Sequence, residues 1–306
     1  MRREQKRIGG GVTQPTHWST ARAFISGAAR FYRTSRVGSA CLVFLLLLAV
    51  VGILADRLAP FDPLEANYAL VRSAPSAVHL LGTDELGRDV LSRLIYGARI
   101  TLLVAIISVA TGDTLGFLWG LLSGYFGGKT DLMSQRALEV LLSFPSFILA
   151  LLLMVGLGAG LHTVIMAVAI TQVPLATRVT RSIVLSVKEA TYVEAARAVG
   201  ASHARILALY IAPQCLAPFL IVASAHLGVA IFTESALSFL GVGVPPPTPT
   251  WGNMLGGVLA QTFRPPWWMV VFPGVAVTLT ILAANLPGDA IRDFIDPKLT
   301  RSLDRG

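Results

Sequence analysis

Long apolar stretches alternate with short polar ones along the whole chain, and the apolar stretches dictate the architecture. They lie at about 38–58, 101–125 and 138–157, from Leu161 through Pro174, and at about 214–240 and 268–287. Each approaches the ~20 apolar residues that cross a bilayer core as a helix. The pattern predicts an all-α, polytopic integral membrane protein with six transmembrane helices.

Composition agrees. Of 306 residues, 54% are hydrophobic and 14% charged, against about a quarter charged in a soluble domain. The net charge of +8 invites a nucleic-acid reading, but the basic residues gather beside the apolar spans, where they report topology. Arg2, Arg3, Lys6, Arg7, Arg22, Arg30, Arg33 and Arg36 face one acid, Glu4, in residues 1–36. Lys129 and Arg136, then Arg178, Arg181 and Lys188, then Arg292, Lys298, Arg301 and Arg305 mark further cytoplasmic segments. The turn at 156–160 has no Lys or Arg, as an external loop would. Both termini are expected to be cytoplasmic. A secretory signal fits poorly, since the leading basic region is long and no small-residue cleavage site precedes Asp56. Cys41 and Cys215 are far apart, which argues against a disulfide framework. Trp251, Trp267 and Trp268 suit an aromatic belt at the outer interface.

The expected organisation is a basic cytoplasmic segment (1–37), a first span with an extracytoplasmic segment (38–100), a core of spans (101–290) and a cytoplasmic tail (291–306). Val90, Leu91, Leu94 and Ile95 share a face and suggest an interfacial helix before the second span. Asp84, Glu85 and Asp89 lack calcium-loop spacing and are expected to pair with Arg88 and Arg93. Gly112, Gly116, Gly120 and Gly124 form a smooth ridge for close helix packing. Asp113 and Glu234 lie inside spans, where a carboxylate needs a partner, a cavity or a proton. Pro145 is expected as a kink within the third span. Gly128-Lys129-Thr130 nearly matches a phosphate-binding loop but has Ser123 for the first glycine and follows an apolar helix. The five histidines show no paired metal-ligand spacing, and no serine sits in a G-x-S-x-G elbow. No catalytic, cofactor or metal site is expected.

The remaining polar island, Thr191–Pro213, lies within a loop at 186–213. Thr191 can cap a helix with Glu194 three residues on, a capping box. Gly200 can end that helix in the left-handed conformation, and Ser202 can cap a second helix carrying Ile206, Leu207, Tyr210 and Ile211. Pro213 then opens the fifth span. Two short helices at about a right angle describe a simple capped loop, a DNA-reading helix-turn-helix, or a helix gripped by a soluble partner. The run into an apolar span leaves no globular domain for DNA.

YVEAARAVGAS at Tyr192–Ser202 resembles the "EAA loop" of permease subunits of ATP-binding cassette importers, with Glu194, Ala195, Ala196, Gly200, Ile211 and Pro213 at the family's positions. Ala212 departs from the family's Leu. Three further stretches, His79–Arg99, Glu234–Leu255 and Asn285–Leu299, resemble the dipeptide, oligopeptide and nickel permeases. The resemblance implies a non-enzymatic subunit in a bacterial inner membrane. It would work by alternating access with a second permease, as a heterodimer, two ATP-hydrolysing subunits and an extracytoplasmic binding protein, in contact with lipid and not with nucleic acid. It also implies a coupling loop of Tyr192, Glu194, Ala195, Ala196, Arg197, Gly200, Ala201, Arg205 and Pro213. Ala195 and Ala196 would form the contact surface, Glu194 would cap and pair, Gly200 would set the angle, and Arg205 would add a polar contact. The rival is an ion-gradient-driven carrier with Asp113 and Glu234 as coupling sites; an intramembrane enzyme lacks its nucleophile and metal set.

Overall fold

A computed structural model describes residues 36–261 and 263–295, with side chains at 261 and beyond 286 excluded. The basic N-terminal segment and the tail after 295 therefore lie outside the described residues, apart from Arg36 and Val37. The elements are α1 (Arg36–Ile53), α2 (Ala55–Leu58), α3 (Val90–Phe126), α4 (Gly128–Leu142), α5 (Ser146–Leu157), α6 (Leu161–Val187), α7 (Thr191–Ala198), α8 (His203–Ile206), α9 (Ala212–Phe239), α10 (Trp251–Gln261) and α11 (Trp267–Ile295). Among the described residues, five helices are long and apolar enough to cross a membrane, and six result if the bent pair α4–α5 counts as one span. Leu46, Leu47, Val50, Leu115, Leu118, Leu122 and Val155 stay exposed, as a surface solvated by lipid or by another membrane subunit permits.

The interfacial helix expected before the second span is not separate. It is the start of α3, one unbroken helix of 37 residues, about 55 Å long. Asp89 fixes that start by accepting from the Ser92 N–H (2.8 Å). No residue between 90 and 126 breaks the helix, so the change from amphipathic to apolar changes its surroundings and not its backbone. The glycine ridge behaves as expected. An added Cβ would lie 2.4 Å from the Ala169 carbonyl oxygen at Gly112, 2.6 Å from the Ala176 side chain at Gly116 and 2.5 Å from the Thr177 carbonyl oxygen at Gly120. Along this ridge α3 and α6 make the most extensive helix pair of the fold.

Pro145 does more than kink a continuous helix: one helix ends just before it and another starts just after it. It is the N-cap of α5, and α4 and α5 meet at 85°. The residue before a proline is pushed out of the helical region, and α5 alone, with 12 residues, is only about 18 Å long. Arg181 of α6 holds α4 in place through a bidentate pair with Asp131, its Nε 2.6 Å from the carboxylate.

Before α3, residues 59–89 fold into an irregular cap. Asp84 accepts from the backbone N–H groups of Leu86 and Arg88 (both 2.9 Å), from Arg88 Nε (2.7 Å), and pairs with Arg93 Nε (3.3 Å). Asp89 pairs with His79 (3.0 Å) and not with an arginine. The aromatic belt is corrected for one of its three members, Trp251. Trp251 is buried and donates to the Leu94 carbonyl (2.9 Å), because Gly97 leaves a slot that its ring fills. Trp268 donates to the Thr83 carbonyl (3.3 Å), and Trp267 alone is widely exposed.

Candidate functional site

The polar island forms a projection between α6 and α9. Its first cap differs from expectation. The helix starts one residue early, so Thr191 is its first residue and Ala190 the N-cap, without a side-chain bond. The Ala190 carbonyl takes the N–H groups of Val193 (2.9 Å) and Glu194 (3.2 Å). No capping box forms, because Thr191 lies inside the helix; Glu194 stays exposed.

The turn follows the sequence closely. Gly200 has φ +81°. Its N–H bonds the Arg197 carbonyl (2.9 Å) and the Ala201 N–H bonds the Ala196 carbonyl (3.0 Å), the paired bonds of a Schellman stop. Ser202 accepts from the Arg205 N–H (3.4 Å) and starts α8. Pro213 does not open the fifth span. The helix is continuous from His203 to Phe239, with a π-helical turn at Leu207–Ile211. Pro213 has no N–H for the carbonyl four residues back and its ring crowds that carbonyl, so the turn ahead of it widens.

The faces of the projection are distinct. Val193 and Ala196 point inward and pack with Ile206, Leu207 and Ile211 against Leu121 and Tyr125 of α3 and Val184 of α6. Ala196 is 5% exposed, so it is not part of the outer surface expected for it. At three- and four-residue spacing, residues 193 and 196 share the buried side. Ala195 is exposed, and with Tyr192 (44% exposed) and Val199 (85% exposed) it makes an outward apolar stripe at helical spacing. Val199 is a residue that motif reading missed; its signal was its place four residues after Ala195. Arg197, Arg205 and Pro213 are exposed and Ala201 is half-buried.

The two intramembrane acids are built into the scaffold separately. Asp113 of α3 meets His226 Nδ1 of α9 at 2.6 Å, and Gln172 of α6 reaches the His226 carbonyl at 3.5 Å. Glu234 accepts from Thr101 (3.1 Å), Ser235 (3.3 Å) and Ser238 (2.9 Å). Ser238 in turn accepts from the Val244 N–H (3.2 Å), so Glu234 ties α9 to α3 and to the turn after it.

A cavity of about 180 Å³ opens at the cap, lined by Asp84, Glu85, Arg88, Arg93, Asn253 and Met254 among others. Burial pushes the Glu85 carboxyl above the usual carboxylate range. No cluster of three His, Cys, Asp or Glu among the described residues is arranged to hold a metal.

Comparison with known proteins gives this arrangement its context. A relative, the Di/tripeptide transport system permease protein DppC of Pseudomonas aeruginosa, is 40% identical over 264 residues, covering 84% of this chain and 87% of its own. The Glutathione transport system permease protein GsiD of Pectobacterium atrosepticum is 40% identical over 271 residues, 88% of this chain and 89% of its own. The Dipeptide transport system permease protein DppC of Haemophilus influenzae is 36% identical over 276 residues, 88% and 93%. A crystal structure of an amino acid ABC transporter with histidines shares the fold, with TM-score 0.50 at 19% identity over 66% of this chain and 94% of that one. The gradient-driven carrier reading falls with these matches, and ATP hydrolysis in such systems belongs to separate subunits. Residues 116–301 match the family described as Binding-protein-dependent transport system inner membrane component, and the chain belongs to that family of multi-pass inner-membrane permeases.

Proposed function

We propose that this permease forms half of the translocation pathway of an ATP-driven importer for di- and tripeptides or solutes of that size. It pairs with a different permease chain, two ATP-binding subunits and an extracytoplasmic binding protein. The substrate class rests on the peptide and glutathione permeases it resembles. The projection at 188–211 is the element that the ATP-binding subunit grips. The observation carrying this reading is the stripe of Tyr192, Ala195 and Val199, apolar and exposed on a short helix closed by the Gly200 stop. An exposed apolar ridge in a polar loop is costly without a partner, and an apolar helix face fits a groove.

Ala196 plays a different part from Ala195. It supports the projection from beneath, where a larger side chain would overpack it against Tyr125 and Ile206. Glu194 and Arg205 are exposed on the same projection and carry charge suited to steering a partner. In this reading the projection and both termini face the cytoplasm, while the cap at 59–89 faces outward.

The test is reconstitution with the companion subunits. Val199→Asp is expected to remove stimulated ATP hydrolysis while the chain still inserts in the membrane. Hydrolysis at the wild-type level in Val199→Asp would contradict docking through this stripe.

A further inference from the structure

We propose that Tyr125, in the last turn of α3, is a positioning residue that braces the projection against the α3–α6 pair; the inference rests on the docking reading above. The projection hangs on two joints. Residues 188–190 join α7 to α6, and the π-helical turn at Leu207–Ile211 joins α8 to α9. A short link between helices and a π-helical turn in an otherwise continuous helix are places where the chain bends. A projection pushed by a partner and held by two such joints would swing and absorb the movement. Helix α3 has no chain connection to the projection, so force reaches it only through contacts.

Those contacts converge on Tyr125. Its hydroxyl lies 2.7 Å from His203 Nδ1 of α8, with the rings edge to face, centroids 5.6 Å apart and planes at 71°. The Arg197 guanidinium of α7 stands over the Tyr125 ring, 5.8 Å from its centroid. One buried side chain, 8% exposed, therefore touches both short helices, on either side of the Gly200 turn. Beside it, Lys188 Nζ donates to the Gly124 carbonyl (3.1 Å), so the first joint is also pinned to the end of α3. The surrounding packing of Val193, Ala196, Ile206 and Leu207 is apolar and allows sliding. The Tyr125–His203 bond has direction and sets one angle. Behind Tyr125, the close backbone contact of Gly116 and Gly120 with α6 lets α3 and α6 move as one body.

The experiment uses the assembled complex with its partner permease and ATP-binding subunits, with Cys41 and Cys215 replaced by alanine. An environment-sensitive fluorophore is placed by Leu122→Cys on α3 or by Leu209→Cys on the π-helical turn, both exposed positions. In the parent complex, ATP with vanadate is expected to change the signal at both positions. Tyr125→Phe keeps the ring and removes the hydroxyl, and His203→Leu removes its partner. In each, the response at 209 is expected to persist while that at 122 falls about threefold to tenfold, the factor set by one lost hydrogen bond. His203→Asn, which restores a polar partner, is expected to recover it. A full response at 122 in Tyr125→Phe would overturn the brace. Loss at both positions would also overturn it, by making Tyr125 part of the docking surface. Silence at both positions in the parent complex would instead remove the docking reading on which the brace depends.

Discussion

Single residues decide how closely this bundle packs. The carbonyls of Val173 and Thr177 stand within 2.7 Å and 2.5 Å of where Cβ atoms at Gly116 and Gly120 would be. Backbone cannot yield as a side-chain tip can. Gly116→Leu is expected to lower stability in detergent by roughly 1–3 kcal/mol or more, whereas Gly156→Ala, in a helix and with nothing within 4 Å, is expected to leave the thermal unfolding temperature unchanged or to raise it slightly. Gly200 poses a different constraint. It too has open space around it, but its φ is +81°. There Gly200→Asn is expected to be tolerated and Gly200→Val to cost about 1–2 kcal/mol, read as loss of the ATPase-bound fraction on copurification. The buried acids behave as paired groups. His226→Leu leaves the Asp113 carboxyl without its hydrogen-bond partner, and stranding a buried polar group costs about 1–3 kcal/mol; Asp113→Asn, which keeps a polar contact to His226, is expected to cost less in the same unfolding assay. Gly200, Ser202 and the glycine ridge were legible in the sequence because each does something backbone geometry demands. Ala196 and Trp251 were not. Which side of an eight-residue helix is buried depends on α3, and the slot for Trp251 is made by Gly97, more than 150 positions away in sequence.

At the scale of elements, α3 connects the cap to the projection. One end is fixed in the cap by Asp89 and Arg93, and the other reaches the projection through Tyr125. Asp84 organises the cap with four donors. Asp84→Ala leaves Arg93, 5% exposed, beside no carboxylate at that distance. Hydrogen exchange over residues 65–88 is expected to accelerate in this variant while exchange in α6 is unchanged; unaltered exchange in the cap would contradict its assigned role. Apolar length located the spans, but three boundaries eluded it. The start of α3 carries no break, Pro145 fits a kink as well as a corner, and Pro213 resembles a helix start although the chain runs through it as a helix. In each case the local signal is compatible with two geometries, and packing against other helices chooses between them.

The whole molecule is a subunit whose exposed surface is largely apolar and whose polar chemistry is concentrated at two ends. Basic flanks predict the orientation, and labelling from each side of the membrane checks it. Cysteines introduced by Ala195→Cys and Lys129→Cys are expected to react from the cytoplasmic side only, and by Ser76→Cys and Pro247→Cys from the outside only; reversed labelling at 195 would invert the topology. The central claim is that the outward face of α7, and not its inward face, meets the ATP-binding subunit. Its most direct measurement is short-range crosslinking in the assembled complex from Val199→Cys and from Ala196→Cys. Adducts to the ATP-binding subunit from 199 and none from 196 are predicted; adducts from 196 with silence at 199 would contradict the account.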